Sequence, residues 1–93
     1  MKTNIRIMND ETLKLYAYVI SSTYRMKVVK SLAKEDMIPT QIAHDSDILP
    51  NHVSKVLREL KEKEIVVCTN EQDRKNRNYH LTDLGVEIAE KLN

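Results

Sequence analysis

Two prolines place the tightest constraint on this chain. Pro39 opens "PTQIAHDSD" and Pro50 opens "PNHVSKVLRELKEK", two stretches whose apolar residues recur at helical spacing. Proline suits the first position of a helix, where its missing N–H would have no intrahelical partner. In the second stretch Val53, Val56, Leu57 and Leu60 fall on one stripe. Only "HDSDI" separates the two, too short for anything but a sharp turn from one helix into the next.

After Lys63 the period changes. "EIVVCT" (64–69) is short and β-branched, and "RNYHLT" (77–82) alternates, with Asn78 and His80 outward and Tyr79 and Leu81 inward. Together they predict a hairpin whose tip carries Arg74, Lys75 and Arg77. A last helix, 82–93, follows with Thr82 as its cap and Leu84, Ile88, Ala89 and Leu92 on one side. Gly85 is expected to let that helix approach a neighbour closely.

Upstream, "STYRMKVVKSLAKE" reads as a helix capped by Ser22 or Thr23, with Met26, Val29, Leu32 and Ala33 facing the core. Residues 10–22, "DETLKLYAYVISS", are apolar on two sides. Leu13, Tyr16, Ala17 and Ile20 share one face, and Leu15, Tyr18 and Val19 lie on the other. Such a helix is either wrapped by its own chain or packs on a second copy. So small a domain has little material to enclose it. The expectation is therefore a homodimer, with helices 10–22 and 82–93 as dimerisation elements and Leu15, Tyr18, Val19, Ile88 and Leu92 at the interface.

The fold class that follows is mainly α with a small β-hairpin, in the order α-α-α-α-β-β-α. No repeat, linker or low-complexity tract divides residues 1–93, so a single domain is expected. One Gly and two Pro suit a mostly helical chain, and 41% hydrophobic with 31% charged residues argues against disorder. Cys68 is the only cysteine, which excludes an intramolecular disulfide and a Cys-rich metal site. No apolar run approaches the roughly 18–20 residues of a membrane span, and "MKTNIRIMND" has no signal-peptide core. A cytoplasmic protein with no membrane partner is expected.

The net charge is only +1, but it is unevenly spread. Residues 1–30 carry +4, residues 34–47 carry −3, and Pro50 to Lys63 carry +2. Local basic patches attract a polyanion more effectively than the total suggests. The helix from Pro50 is about 21 Å long at 1.5 Å per residue, and its width fits a major groove about 12 Å across. Opposite its apolar stripe lie Asn51, Lys55, Arg58 and Glu62, flanked by His52, Ser54 and Glu59. Asn can bond adenine bidentately, and Arg or Lys guanine. The short helix before it would brace it across the DNA backbone, and the hairpin tip would reach the adjacent phosphates or minor groove. Glu71 and Asp73 leave residues 71–78 at +1, so the tip suits positioning on phosphates more than sequence choice.

With these residues in place, "IPTQIAHDSDILPNHVSKVLRELKEKEIV" resembles the helix-turn-helix of winged-helix transcription regulators of the MarR and ArsR kind. "NRNYHLTDLG" resembles the wing's return strand and the Leu-Thr-x-x-Gly that begins the last helix in many of them. "SSTYRMKVVKSL" is similar to the helix leading into that unit. The resemblance covers roughly residues 20–90 and implies a winged helix-turn-helix. It would put Asn51, His52, Ser54, Lys55 and Arg58 at the major groove, Thr40 and Gln41 on phosphates, and Arg74, Lys75 and Arg77 at the wing tip. The implied function is a sequence-specific double-stranded DNA-binding transcriptional regulator, a repressor in the first instance. The alternative is a winged-helix module for protein–protein assembly in a transcription or repair complex. Asp47 stands where the family's turn usually has Gly, which is tolerable because Asp visits the left-handed region. The Ile-Pro and Leu-Pro helix starts lack a Ser or Thr cap, so slight fraying is expected. The acids of residues 34–47 are expected to cap helices and point away from DNA.

His44, His52, His80 and Cys68 have no metal-clamp spacing, so no metal site and no cofactor is expected. Cys68 in a β-run reads as a small core residue. Neither a phosphate-binding Gly-rich loop nor a nucleophile–base pair is visible, so an enzyme is not expected.

Overall fold

The computed structural model describes residues 9–92. The expectations that touch residues 1–8 and Asn93 (the leader-free start, part of the basic N-terminal balance, the final residue of the last helix) lie outside that range. The chain runs α1 (Asp10–Ile20), α2 (Thr23–Lys34), α3 (Pro39–Ser46), α4 (Pro50–Glu62), β1 (Val66–Cys68), β2 (Tyr79–Leu81) and α5 (Asp83–Leu92). This is the expected order, mostly helical with one antiparallel hairpin.

Helix starts are set by local chemistry. The Asn9 side chain accepts the Thr12 N–H at 2.8 Å, and Asp10 and Glu11 follow in the first turn, where carboxylates favour the positive end of the helix dipole. Ser22 caps α2 by accepting the Arg25 N–H at 3.2 Å, so α1 must stop at Ile20 and not run to residue 22. The uncapped Ile-Pro start of α3 is not left open. The Gln41 side-chain oxygen reaches back to the Ile38 N–H at 3.0 Å, the glutamine half of a capping box.

The turn between α3 and α4 works as the residue types imply. Asp47 adopts φ 59°, ψ 46°, and the Ile48 N–H closes on the Ala43 carbonyl at 3.1 Å. Ile48 is thereby buried. α4 then buries Val53, Val56, Leu57 and Leu60, each worth about 1.5–3 kcal/mol relative to exposure. Its end repeats the left-handed device at Glu64 (φ 61°), with the Ile65 N–H on the Leu60 carbonyl at 2.9 Å. That reversal shortens the first strand to residues 66–68, where the sequence suggested 64–69. The second is likewise shorter, because Asn78 already belongs to the loop.

The hairpin pairs Val66 with Leu81, Val67 with His80 and Cys68 with Tyr79. Val66, Cys68 and Leu81 point into the core, and Val67 and His80 point out. A further strand contact has no signal in the sequence. Met37 and Tyr79 exchange both backbone bonds, at 3.2 and 2.9 Å, so the segment between α2 and α3 lies against β2. Two residues cannot display a period, which is why pattern reading passes over it.

α2 lies at the centre, against α1, α3, α4, α5 and β2. Val28, Val29, Ser31 and Leu32 are buried along it, and Ala33, expected in the core, is exposed. Thr82 joins the end of the hairpin to α5. Its hydroxyl donates to the Glu64 carbonyl at 2.7 Å and accepts the Gly85 N–H at 3.1 Å. Gly85 does permit a close approach, but to the backbone carbonyl of Ile65 and not to another helix.

Two of the residues assigned to a dimer interface are corrected by the packing. Val19 and Ile88 are both 0% exposed, enclosed by the chain's own core, so neither offers its side chain to a partner. Leu15, Tyr18 and Leu92 are half-buried against that core, and the Tyr18 ring is covered by the Arg25 guanidinium at 3.8 Å. The apolar face that α1 leaves outward is the other one, with Leu13 52% and Ile20 43% exposed and Ala17 between them.

Candidate nucleic-acid interface

α4 turns its stripe inward, so its opposite side faces solvent by geometry alone. Asn51, Ser54, Lys55, Arg58 and Glu62 are all exposed there. Two flanking residues are otherwise engaged. His52 is half-buried and lies against the Tyr24 ring, centroids 4.8 Å apart. Glu59 accepts from Arg25 Nε at 3.2 Å, and that Arg25 also donates to the Tyr18 carbonyl at 2.9 Å. The one carboxylate on this flank of α4 is therefore neutralised by α2.

The loop between the strands is built around Asn70. Its side-chain oxygen accepts the Asn78 N–H at 2.7 Å, and its amide donates to the Asp73 carboxylate at 2.9 Å and to the Asn76 carbonyl at 3.1 Å. Asn76 takes the left-handed conformation, φ 56°, and Arg77 Nε donates to the Asp73 carbonyl at 2.8 Å. Asp73 thus ties the loop together, while Arg74 and Lys75 stand exposed at its tip. Arg77 is half-buried, spending one of its five donors on the loop and keeping the rest.

Two adjacent shallow grooves lie between the wing, α3 and α4. The first, about 370 Å³, is lined by Thr40 at the head of α3 and by Arg74, Lys75, Asn76 and Arg77 from the loop. A second, about 250 Å³, is lined by Ser54, Leu57, Arg58 and Lys61 from α4. Pro39, Arg77 and Tyr79 line both, so the two lie side by side. Of the residues singled out in the sequence, Thr40, Ser54, Arg58, Arg74, Lys75 and Arg77 meet here. Asn51, His52 and Lys55 lie further along α4, outside both grooves. Gln41 is exposed, with its side-chain oxygen accepting the Ile38 N–H.

Lys61 was not singled out, since its position on the helical wheel is neither outward nor core. It lines the second groove and is paired with Glu71 from the loop. Each group shifts the other: the Glu71 carboxylate raises the Lys61 pKa, and Lys61 holds that of Glu71 below the usual carboxylate range. Leu49, 64% exposed just ahead of Pro50, was also passed over, as apolar residues are ordinarily assigned inward.

Of the acids of residues 34–47, expected to cap helices, Glu35 and Asp47 stand at the C-caps of α2 and α3, while Asp36 and Asp45 make side-chain contacts instead. Asp45 accepts from the buried Ser31 hydroxyl at 2.7 Å and from Lys34 at 3.0 Å, and these partners lower its pKa, the serine contributing most. Asp36 pairs with His80 Nδ1 at 2.7 Å. The charge of Asp45 is thus partly compensated by Lys34. Among the described residues no three His, Cys, Asp or Glu side chains cluster as a metal site, and no helix is long and apolar enough to cross a membrane.

No protein-family model matches the chain, and neither does any protein of curated function. Solved structures do share its fold. A mutant of ZitR from Lactococcus lactis is 24% identical, with a TM-score of 0.67 over 75% of this chain and 49% of that one. The MepR–DNA complex from S. aureus is 21% identical, with a TM-score of 0.67 over 88% of this chain and 67% of that one. The MarR family transcriptional regulator SPO1453 from Silicibacter pomeroyi is 16% identical, with a TM-score of 0.68 over 89% and 62%. The match spans about half to two thirds of the length of these proteins. The architecture is the winged helix-turn-helix that MarR-family regulators adopt.

Proposed function

We propose that this chain is a sequence-specific double-stranded DNA-binding transcriptional regulator, a repressor, that acts as a homodimer. α4 enters the major groove, with Asn51, Lys55 and Arg58 on base edges and Ser54 and His52 beside them. Thr40 and Gln41 at the head of α3 contact phosphates, and Arg74, Lys75 and Arg77 position the wing on the backbone or minor groove. The observation that carries the reading is the pair of adjacent grooves, lined by Arg74, Lys75 and Arg77 and by Arg58 and Arg77, beside an exposed, polar α4. The MepR fold neighbour, described in complex with DNA, supports it. The second copy is proposed on the outward face of α1, at Leu13, Ala17 and Ile20, because Val19 and Ile88 are enclosed within the chain.

Selection of bound sequences from a random DNA pool, followed by salt titration of the winner, tests this. A dimer neutralising about 6–8 phosphates gives a slope of log K against log salt of about −5 to −7. Failure to enrich any sequence, together with a slope near zero, would reject the reading. The protein-assembly alternative predicts an apolar outer face on α4, and the observed face is polar and charged.

A further inference from the structure

The Lys61–Glu71 pair joins the last turn of α4 to the wing, at the edge of the groove that also holds Arg58 and Arg77. Both side chains are partly exposed, 40% and 51%, so neither burial nor core packing accounts for the contact. Geometry places an ammonium at the junction of the two elements that would straddle a DNA strand. The group beside it is an oxyanion carried on the exposed side chain of a wing residue.

We propose that Lys61 is a further phosphate-binding residue and that Glu71 occupies it in the DNA-free protein, standing where a backbone phosphate would. This rests on the DNA-binding reading above. A carboxylate and a phosphate oxygen ask the same thing of an ammonium, a short charge-assisted hydrogen bond. DNA brings many such oxygens, with the release of condensed counterions as an added drive. An exposed ion pair is weak because water and salt screen it, so the exchange is not blocked by the pair's own strength. Glu71 then lowers affinity for any DNA at the approach stage, because a non-operator duplex must displace it with fewer favourable contacts. The other groove cations are not masked in this way: Arg58 is exposed, and Arg77 is tied only through its Nε to a backbone carbonyl.

The test is salt-titrated binding of wild type, Glu71→Gln, Lys61→Ala and the double variant to a mixed-sequence duplex, using the full chain. Glu71→Gln is expected to bind about 3–10-fold more tightly at 0.1 M salt, because Lys61 then meets the phosphate without leaving a partner. Lys61→Ala alone should bind more weakly than wild type with a slope shallower by about 0.9 per engaged chain, and the double variant should lose the gain. Tighter binding that survives in the double variant would show general charge relief and overturn the role of Lys61. Weaker binding by Glu71→Gln would overturn the proposal by showing that the pair is a strut that holds the wing. If wild type itself shows no salt-dependent DNA binding, the underlying reading fails, and that result is distinct from either of the others.

Discussion

The Asn70 side-chain oxygen lies 2.7 Å from the Asn78 backbone nitrogen, so one asparagine joins the two ends of the wing loop. The same side chain donates to Asp73 and Asn76. The tip cations are thereby held in place before any DNA arrives. Asn70→Ala should leave the fold intact and weaken DNA binding by about 1–2 kcal/mol, the cost of ordering the loop on binding. The slope of log K against log salt should not change, since the same cations meet phosphates once bound. A reduced slope would mean that the tip no longer reaches the DNA.

Arg74 and Lys75 are exposed at the loop tip and are expected to act as charge alone. Their joint replacement by alanine should weaken all duplexes about equally and reduce the slope by about 2 per engaged chain. Asn51→Ala should instead relax preference at one base position, costing about 1–3 kcal/mol on the preferred sequence alone. Binding of a sequence panel by the two variants separates phosphate from base contact.

A Cβ added to Gly85 would overlap the carbonyl oxygen of Ile65 and crowd Leu81. Both neighbours are fixed, one as backbone and the other as a core side chain. Gly85→Ala should destabilise the domain by about 1–3 kcal/mol through overpacking, even though alanine favours a helix. Chemical denaturation reads this directly, and an unchanged midpoint would mean that α5 can shift outward freely.

Acid should weaken the α2–α3 contact. Asp45 has a lowered pKa in the fold, chiefly from the Ser31 hydrogen bond and then Lys34. A depressed carboxylate stabilises fully above its unfolded value, and that contribution is lost as pH falls through its folded value. Stability should therefore decline below about pH 4. Asp45→Asn should show a shallower decline across the same window.

The dimer surface can be tested without touching the core. Leu13 and Ile20 are exposed in the single chain, so Leu13→Lys with Ile20→Lys should fold normally and sediment as a monomer at tens of micromolar, where wild type is expected at twice the chain mass. A wild-type monomer at that concentration would remove the homodimer from the proposed function.

Element order, the two proline-led helices, the capping by Ser22 and Thr82 and the left-handed turn at Asp47 were all legible from residue types, because each is decided by neighbours within four or five positions. So was the division of α4 into a buried stripe and a polar face. Which side of α1 is enclosed was not legible. Both faces are apolar, and the choice depends on whether α2 and α5 meet Val19 or Ile20, a matter of packing across residues distant in sequence. The Met37–Tyr79 bridge, the Lys61–Glu71 pair and the closing of α5 onto Ile65 have the same origin. Each joins elements whose separation in the chain leaves no period to read, and only the folded arrangement brings them within bonding distance.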